Sequence, residues 1–140
     1  LCAGVLRAAG ARLRLATLTA ARDALALIPD VASCKIGLEQ GITAADYPLI
    51  RLVPSRITPG RPYNNRTAET LIYFGMDVTG ADAGGLEAVY AALFALEAEI
   101  IERLRAMHHR YIETVTDEDR LDAYKLMTIR AELVGTQPAP

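Results

Sequence analysis

PLIRLVPSRITPGRPYNNRTAETLIYFGMDVTG, residues Pro48 to Gly80, reads as two strands joined by a long basic loop. In the first seven residues, Pro48 to Pro54, Arg51 shares a face with Leu49 and Val53, while Ile50 and Leu52 alternate with them. The two prolines donate no amide, which confines them to the strand ends or to an edge. Ser55 to Asn65 collects Pro59, Gly60, Pro62, Asn64 and Asn65, which is turn chemistry, so a loop is expected there. Ala68 to Thr79 is the next strand, with Ile72, Phe74, Met76 and Val78 on its apolar face. Thr70, Asp77 and Gly80 are expected off that face, with Tyr73 and Gly75. A glycine in mid-strand predicts a bulge or a close neighbour at Gly75. The connection is longer than a tight hairpin needs, so a projecting arm at about 55–67 is expected to serve binding or assembly.

On the N-terminal side, Ala3 to Ile28 predicts a helix with Leu6, Ala9, Leu13, Ala16, Ala20 and Ala24 near a 3.6-residue period, stopped by Pro29. Leu15, Leu18 and Leu25 widen that stripe. Val31 to Leu38 predicts a short strand with Cys34 and Ile36 on one face and Ser33 and Lys35 on the other, followed by a loop hinged at Gly41. On the C-terminal side, Leu86 to Met107 predicts the main core helix through Leu86, Val89, Leu93, Leu96, Ile100, Leu104 and Met107, with Phe94 and Ile101 widening its face. Tyr111 to Thr116 predicts a strand, Thr116 to Asp119 a turn, and Lys125 to Val134 a final strand. In that strand Met127, Ile129, Ala131 and Leu133 alternate with Thr128, Arg130 and Glu132. The order α-β-β-β-α-β-β is that of an α+β fold, a mostly antiparallel sheet with two helices packed on one face.

Length and composition agree with a single domain spanning 1–140: 51% of the 140 residues are apolar and 23% charged. No apolar run reaches the roughly 18 residues that span a bilayer, so no membrane partner is expected. Arg7, Arg12, Arg14 and Arg22 interrupt any signal-peptide core near the N-terminus, and the missing first Met suggests a start a few residues into a longer sequence. Cys2 and Cys34 lack metal-like spacing, and Cys34 is expected reduced and buried. Charge is uneven. Residues 1–70 carry nine basic and five acidic side chains (+4), and residues 71–140 carry six and twelve (−6). In an oligomer the positive part of one copy would meet the negative part of the next.

Catalytic and metal chemistry find little support. His108 and His109 diverge by about 100° on a helix and are expected to complement its carboxyl end. The acids Asp117, Glu118, Asp119 and Asp122 lack the calcium-loop pattern and read as a solvated turn. No phosphate-binding motif is present, so neither an enzyme activity nor a cofactor is expected. Arg56, Arg61 and Arg66 stand out, with three readings open: ordinary surface charge, pairing with acids of a neighbouring subunit, or contact with nucleic-acid phosphates. Lys35 and Arg51 would extend that positive area if register placed them on one sheet face.

DYPLIRLVPS, the arm, TLIYFGMDVTG, the acidic helix and YIETVTDEDRLDAYKLMTIRAEL together resemble the tail terminator (tail completion) proteins of siphophages and related prophage or gene-transfer particles, over roughly residues 3–134. The most specific parts are the order of elements, the YP-x-I-R-x-V-P run at Tyr47–Pro54 and the ET-x-T-D-E-D turn at Glu113–Asp119. The resemblance implies a small α+β protein, assembled in the host cytoplasm, that forms a homohexameric ring on the head-proximal end of the virion tail. Such a ring ends tube polymerisation and presents the head–tail joining surface, with DNA passing through the lumen unread. The implied partners are further copies of the chain, the tail tube protein and a head-completion or connector protein; a connector ring and a small DNA-binding protein are the alternatives. Carried onto this chain, Arg56, Arg61, Tyr63, Asn64 and Arg66 would form the subunit- or tube-contacting arm. Tyr73, Asp77, Thr128, Arg130 and Glu132 would face the lumen or a partner.

Overall fold

A computed structural model describes residues 15–37, 41–59, 65–78, 83–116 and 124–136. Helix α1 is described over 15–26, followed by β1 (Ser33–Ile36), a 3₁₀ turn (Ala44–Asp46), β2 (Leu49–Pro59), β3 (Asn65–Asp77), α2 (Ala83–Ala106), β4 (Arg110–Thr116) and β5 (Tyr124–Thr136). The five strands form one sheet in the order β1-β2-β3-β5-β4, parallel between β1 and β2 and antiparallel elsewhere. This is the expected α+β fold.

Directly paired residues share a face, so the register sorts every strand into two sets. Ile50 and Leu52 of β2, Ile72 and Phe74 of β3, and Met127, Ile129, Ala131 and Leu133 of β5 are buried in one core. From the helices come Leu18, Ala21, Leu25 and Ile28 of the α1 region and Leu93, Leu96, Ile100 and Leu104 of α2. Each such leucine or isoleucine contributes about 1.5–3 kcal/mol of gross transfer free energy. The buried stripe of α1 is therefore set by its large aliphatic side chains. Ala16 and Ala20, expected on it, are exposed, as is Leu15. On α2, Leu86 and Phe94 also stand out in solvent, 40% and 53% exposed, although Leu93, next to Phe94, is fully buried.

Two readings of the β2–β3 region are corrected. The expected loop at 55–65 is largely ladder: β2 continues to Pro59 and β3 begins at Asn65, with Pro59 opposite Arg66. Ile57, Thr58 and Thr67 are β-branched and favour this pleated state. Ser55 absorbs the irregularity as an extra residue between Pro54 and Arg56, its hydroxyl donating to the Glu69 carbonyl at 3.0 Å. The arm is also not a free two-stranded hairpin, because β5 pairs with β3 as far as Asn65–Thr136. Residues 60–64, and with them Arg61, Tyr63 and Asn64, lie outside the described residues, as do Cys2 and 117–123. The second correction concerns Thr70. Expected off the apolar face, it is fully buried on the core side, opposite Pro54 and Ala131.

Gly75 proves to be a close approach and not a bulge. A Cβ there would sit 2.7 Å from the Lys125 carbonyl oxygen and 3.3 Å from Tyr47 Cε1, and would collide with Leu126. Replacing Gly75 by Ala is expected to cost about 1–3 kcal/mol through overpacking against backbone, read as a lower urea midpoint with unchanged slope.

Candidate assembly surface

Both helices lie on one face of the sheet, which leaves the other face to be covered in some different way. Its ladder runs Lys35–Arg51–Tyr73–Thr128–Val115 and, one step along, Leu71–Arg130–Glu113. All five residues expected on the non-core side are there: Tyr73, Thr128, Arg130 and Glu132 are half-buried and Asp77 is exposed. Arg130 gathers two carboxylates from neighbouring strands, with Nη2 at 2.5 Å from Glu69 Oε1 and Nη1 at 2.6 Å from Glu113 Oε1. Hydrogen bonds to Glu69 and then Glu113 hold the guanidinium pKa above its ordinary value. Glu132, opposite Glu69, is 3.5 Å from Arg110. Opposite charges on adjacent strands thus fix the register on the face that has no apolar core to fix it.

The β1–β2 end of the same face is closed by the chain's own loop. Arg51 is completely buried there, Nη1 donating to Ser33 Oγ at 3.0 Å and to the Ile50 carbonyl at 2.9 Å. Ser33 in turn donates to the Asp46 carbonyl at 2.8 Å. The Asp46 carboxylate accepts from the Thr43 amide at 2.8 Å, which lowers its pKa and locks the 3₁₀ turn. Tyr47, joined to Pro48 by a cis peptide bond, is buried over Gly75. Lys35 and Arg51 do share a face, as the extended positive area required, but Arg51 contributes no surface.

Of the arm positions expected to carry the positive charge, 56 pairs with Glu69 in the ladder and 66 with Pro59 and Gly135, while Arg61 lies outside the described residues.

His109 does something other than complement a helix dipole. His108 takes φ 63°, and the His109 and His108 amides donate to the carbonyls of Leu104 (2.9 Å) and Arg105 (2.9 Å). This is a Schellman ending with histidine where glycine is usual. His109 is buried, and its Nδ1 accepts the Val134 amide at 3.0 Å, continuing the pairing along β5 just before the first residue of β4. An accepting Nδ1 puts the ring proton on Nε2 and keeps the ring neutral. Burial, and then the charge of His108, lowers its pKa. The Cys34 thiol, expected buried, is only half-buried, and its pKa is pushed up to about 11 by burial, with Arg51 and Arg22 opposing the rise. Among the described residues no group of His, Cys, Asp and Glu is arranged to hold a metal ion, and no helix is long and apolar enough to cross a membrane.

Set against family models and against curated proteins, the chain matches none.

The depressed pKa of His109 makes stability pH-dependent with a definite sign. The unfolded chain takes up the proton near the ordinary value of 6.5, while the folded chain resists it. This contribution is therefore whole above about pH 6.5 and lost as pH falls through the lower folded value. His109→Gln is expected to cost about 1–2 kcal/mol at pH 7.5 and to flatten the stability profile between pH 7.5 and 5, read by urea melts at each pH.

Proposed function

We propose that this chain is a non-enzymatic, ring-forming structural protein of a phage-type tail. It caps the head-proximal end of the tail tube, ends tube polymerisation and provides the surface that meets the head connector. The observation that carries the reading is the two-faced sheet. One side is sealed by α1 and α2, while the other pairs a closed end around Arg51 with an exposed charged ladder through Glu69, Arg130 and Glu113. Such a face is built for contact with a partner or with an aqueous lumen. The β2–β3–β5 ladder, running on to Pro59, Arg66 and Gly135, supplies a stiff extension fit to reach a neighbouring subunit or tube ring.

In this reading Tyr73, Asp77, Thr128, Arg130 and Glu132 line the lumen or a partner, and Arg56 and Arg66 belong to the reaching end. Paired acids on a lumen wall would discourage DNA from lodging, since like charge repels phosphate. DNA then passes without being read.

The test is a tube-growth assay with the purified chain. Added at substoichiometric amounts to polymerising tail tube protein from the same genetic neighbourhood, it is expected to appear by electron microscopy as a ring at one end of each tube and to shorten the mean tube. Replacing both Arg56 and Arg66 by Glu is expected to abolish capping. Tubes that grow to the same length with and without the protein would reject the reading.

A further inference from the structure

A cavity of about 310 Å³ opens where α1 ends. The amides of Leu27 and Ile28 turn back to the Ala24 and Leu25 carbonyls, at 3.3 and 3.1 Å. Pro29 has no amide to carry the helix on, and Asp30 takes φ 70°, so the chain swings away into β1. Arg103 of α2 donates to the Ala24 carbonyl at 3.4 Å, which brings the two helices together there. Where α1 stops, α2 presents alanines at positions 92 and 95. No large side chain fills the space they leave, and Ile28, Val31, Met76 and Leu96 stand as its apolar walls.

The charged residues that line this apolar space are both acids, Asp30 on the turn and Glu99 on α2. Residues 83–102 of the helix hold Glu87, Glu97, Glu99 and Glu102 and no Lys or Arg. Arg103 answers Glu99 only loosely, at 3.8 Å, while also donating to Ala24. The volume lies at the lower end of the range for pockets that hold small ligands. An apolar body placed there is stabilised by leaving water. A charged group on that body needs an opposite charge in place of the water it gives up. An ammonium finds two carboxylates, whereas an anion of the same shape meets like charge. We infer that the cavity binds a small organic cation, an aromatic or branched aliphatic body bearing a primary ammonium group. The body lies against Ile28, Val31, Met76 and Leu96, and the ammonium between Asp30 and Glu99. This site goes beyond the tail-capping reading and does not depend on it.

Three probes of one shape and different charge test it: phenethylammonium, phenethyl alcohol and hydrocinnamate, each titrated into the full-length chain and followed by backbone-amide NMR. Phenethylammonium is expected to shift the Val31, Ala95 and Leu96 amides saturably and to bind about fivefold or more tighter than the alcohol. Hydrocinnamate is expected to bind more weakly than either. Asp30→Asn, which keeps a residue tolerant of positive φ, and Glu99→Gln should each reduce the preference for the cation. Together they should make cation and alcohol bind alike. Ala95→Phe, which fills the cavity mouth from an exposed helix position, should remove binding of both probes without lowering the thermal midpoint. Glu102→Gln on the same helix should change nothing. Equal affinity of the wild type for ammonium and alcohol would overturn the inference, as would no saturable shift up to about 10 mM probe. A preference for the cation that survives the Asp30→Asn, Glu99→Gln double variant would overturn it too.

Discussion

Everything in this fold hangs from the pairing of β3. It is bonded to β5 along its whole length, from Asn65 to Asp77, and to β2 from Gly75 back to Arg66. With a side-chain period of two, that pairing decides at once which residues enter the core and which meet whatever lies on the other side. A slip of one residue would carry Ile72 and Phe74 out of the core and bring Tyr73 and Glu69 into it. The apolar set holds the register from one side. The Glu69–Arg130–Glu113 bridge spans β3, β5 and β4 and holds it from the other. Gly75 adds a steric constraint, because only a residue without a Cβ lets Tyr47, Leu126 and the Lys125 carbonyl close in together.

The class of fold, the element order and the two faces of β3 and β5 were legible from alternation and helical period alone, since Ile72, Phe74, Met127, Ile129 and Leu133 leave little choice of face. What was not legible depended on partners distant in sequence. Thr70 reads as a polar strand residue until Pro54 and Ala131 are known to flank it. Arg51 reads as surface charge until Ser33 and the 41–48 loop are placed over it. The ladder at 55–59 was hidden because Pro59, Gly60 and Asn64 mark a turn without marking where it starts. His109 is the sharpest case. Its neighbours in sequence suggest a helix end, and so it is, but its side chain completes a strand edge whose amide lies 25 residues further on.

Sealing one sheet face with helices leaves a protein of this size with a choice for the other. Covering it wholly would take a further layer that the described elements do not supply. Leaving it apolar would invite aggregation. This chain divides the problem. A short loop pinned by Asp46 and Tyr47 closes the β1–β2 end, where an arginine is buried and hydrogen-bonded. The β5–β4 end stays polar through ion pairs that remain in contact with water. Exposed ion pairs contribute little to stability. Their value lies in specifying register, since Arg130 and Glu132 reach carboxylate or guanidinium partners on the neighbouring strands.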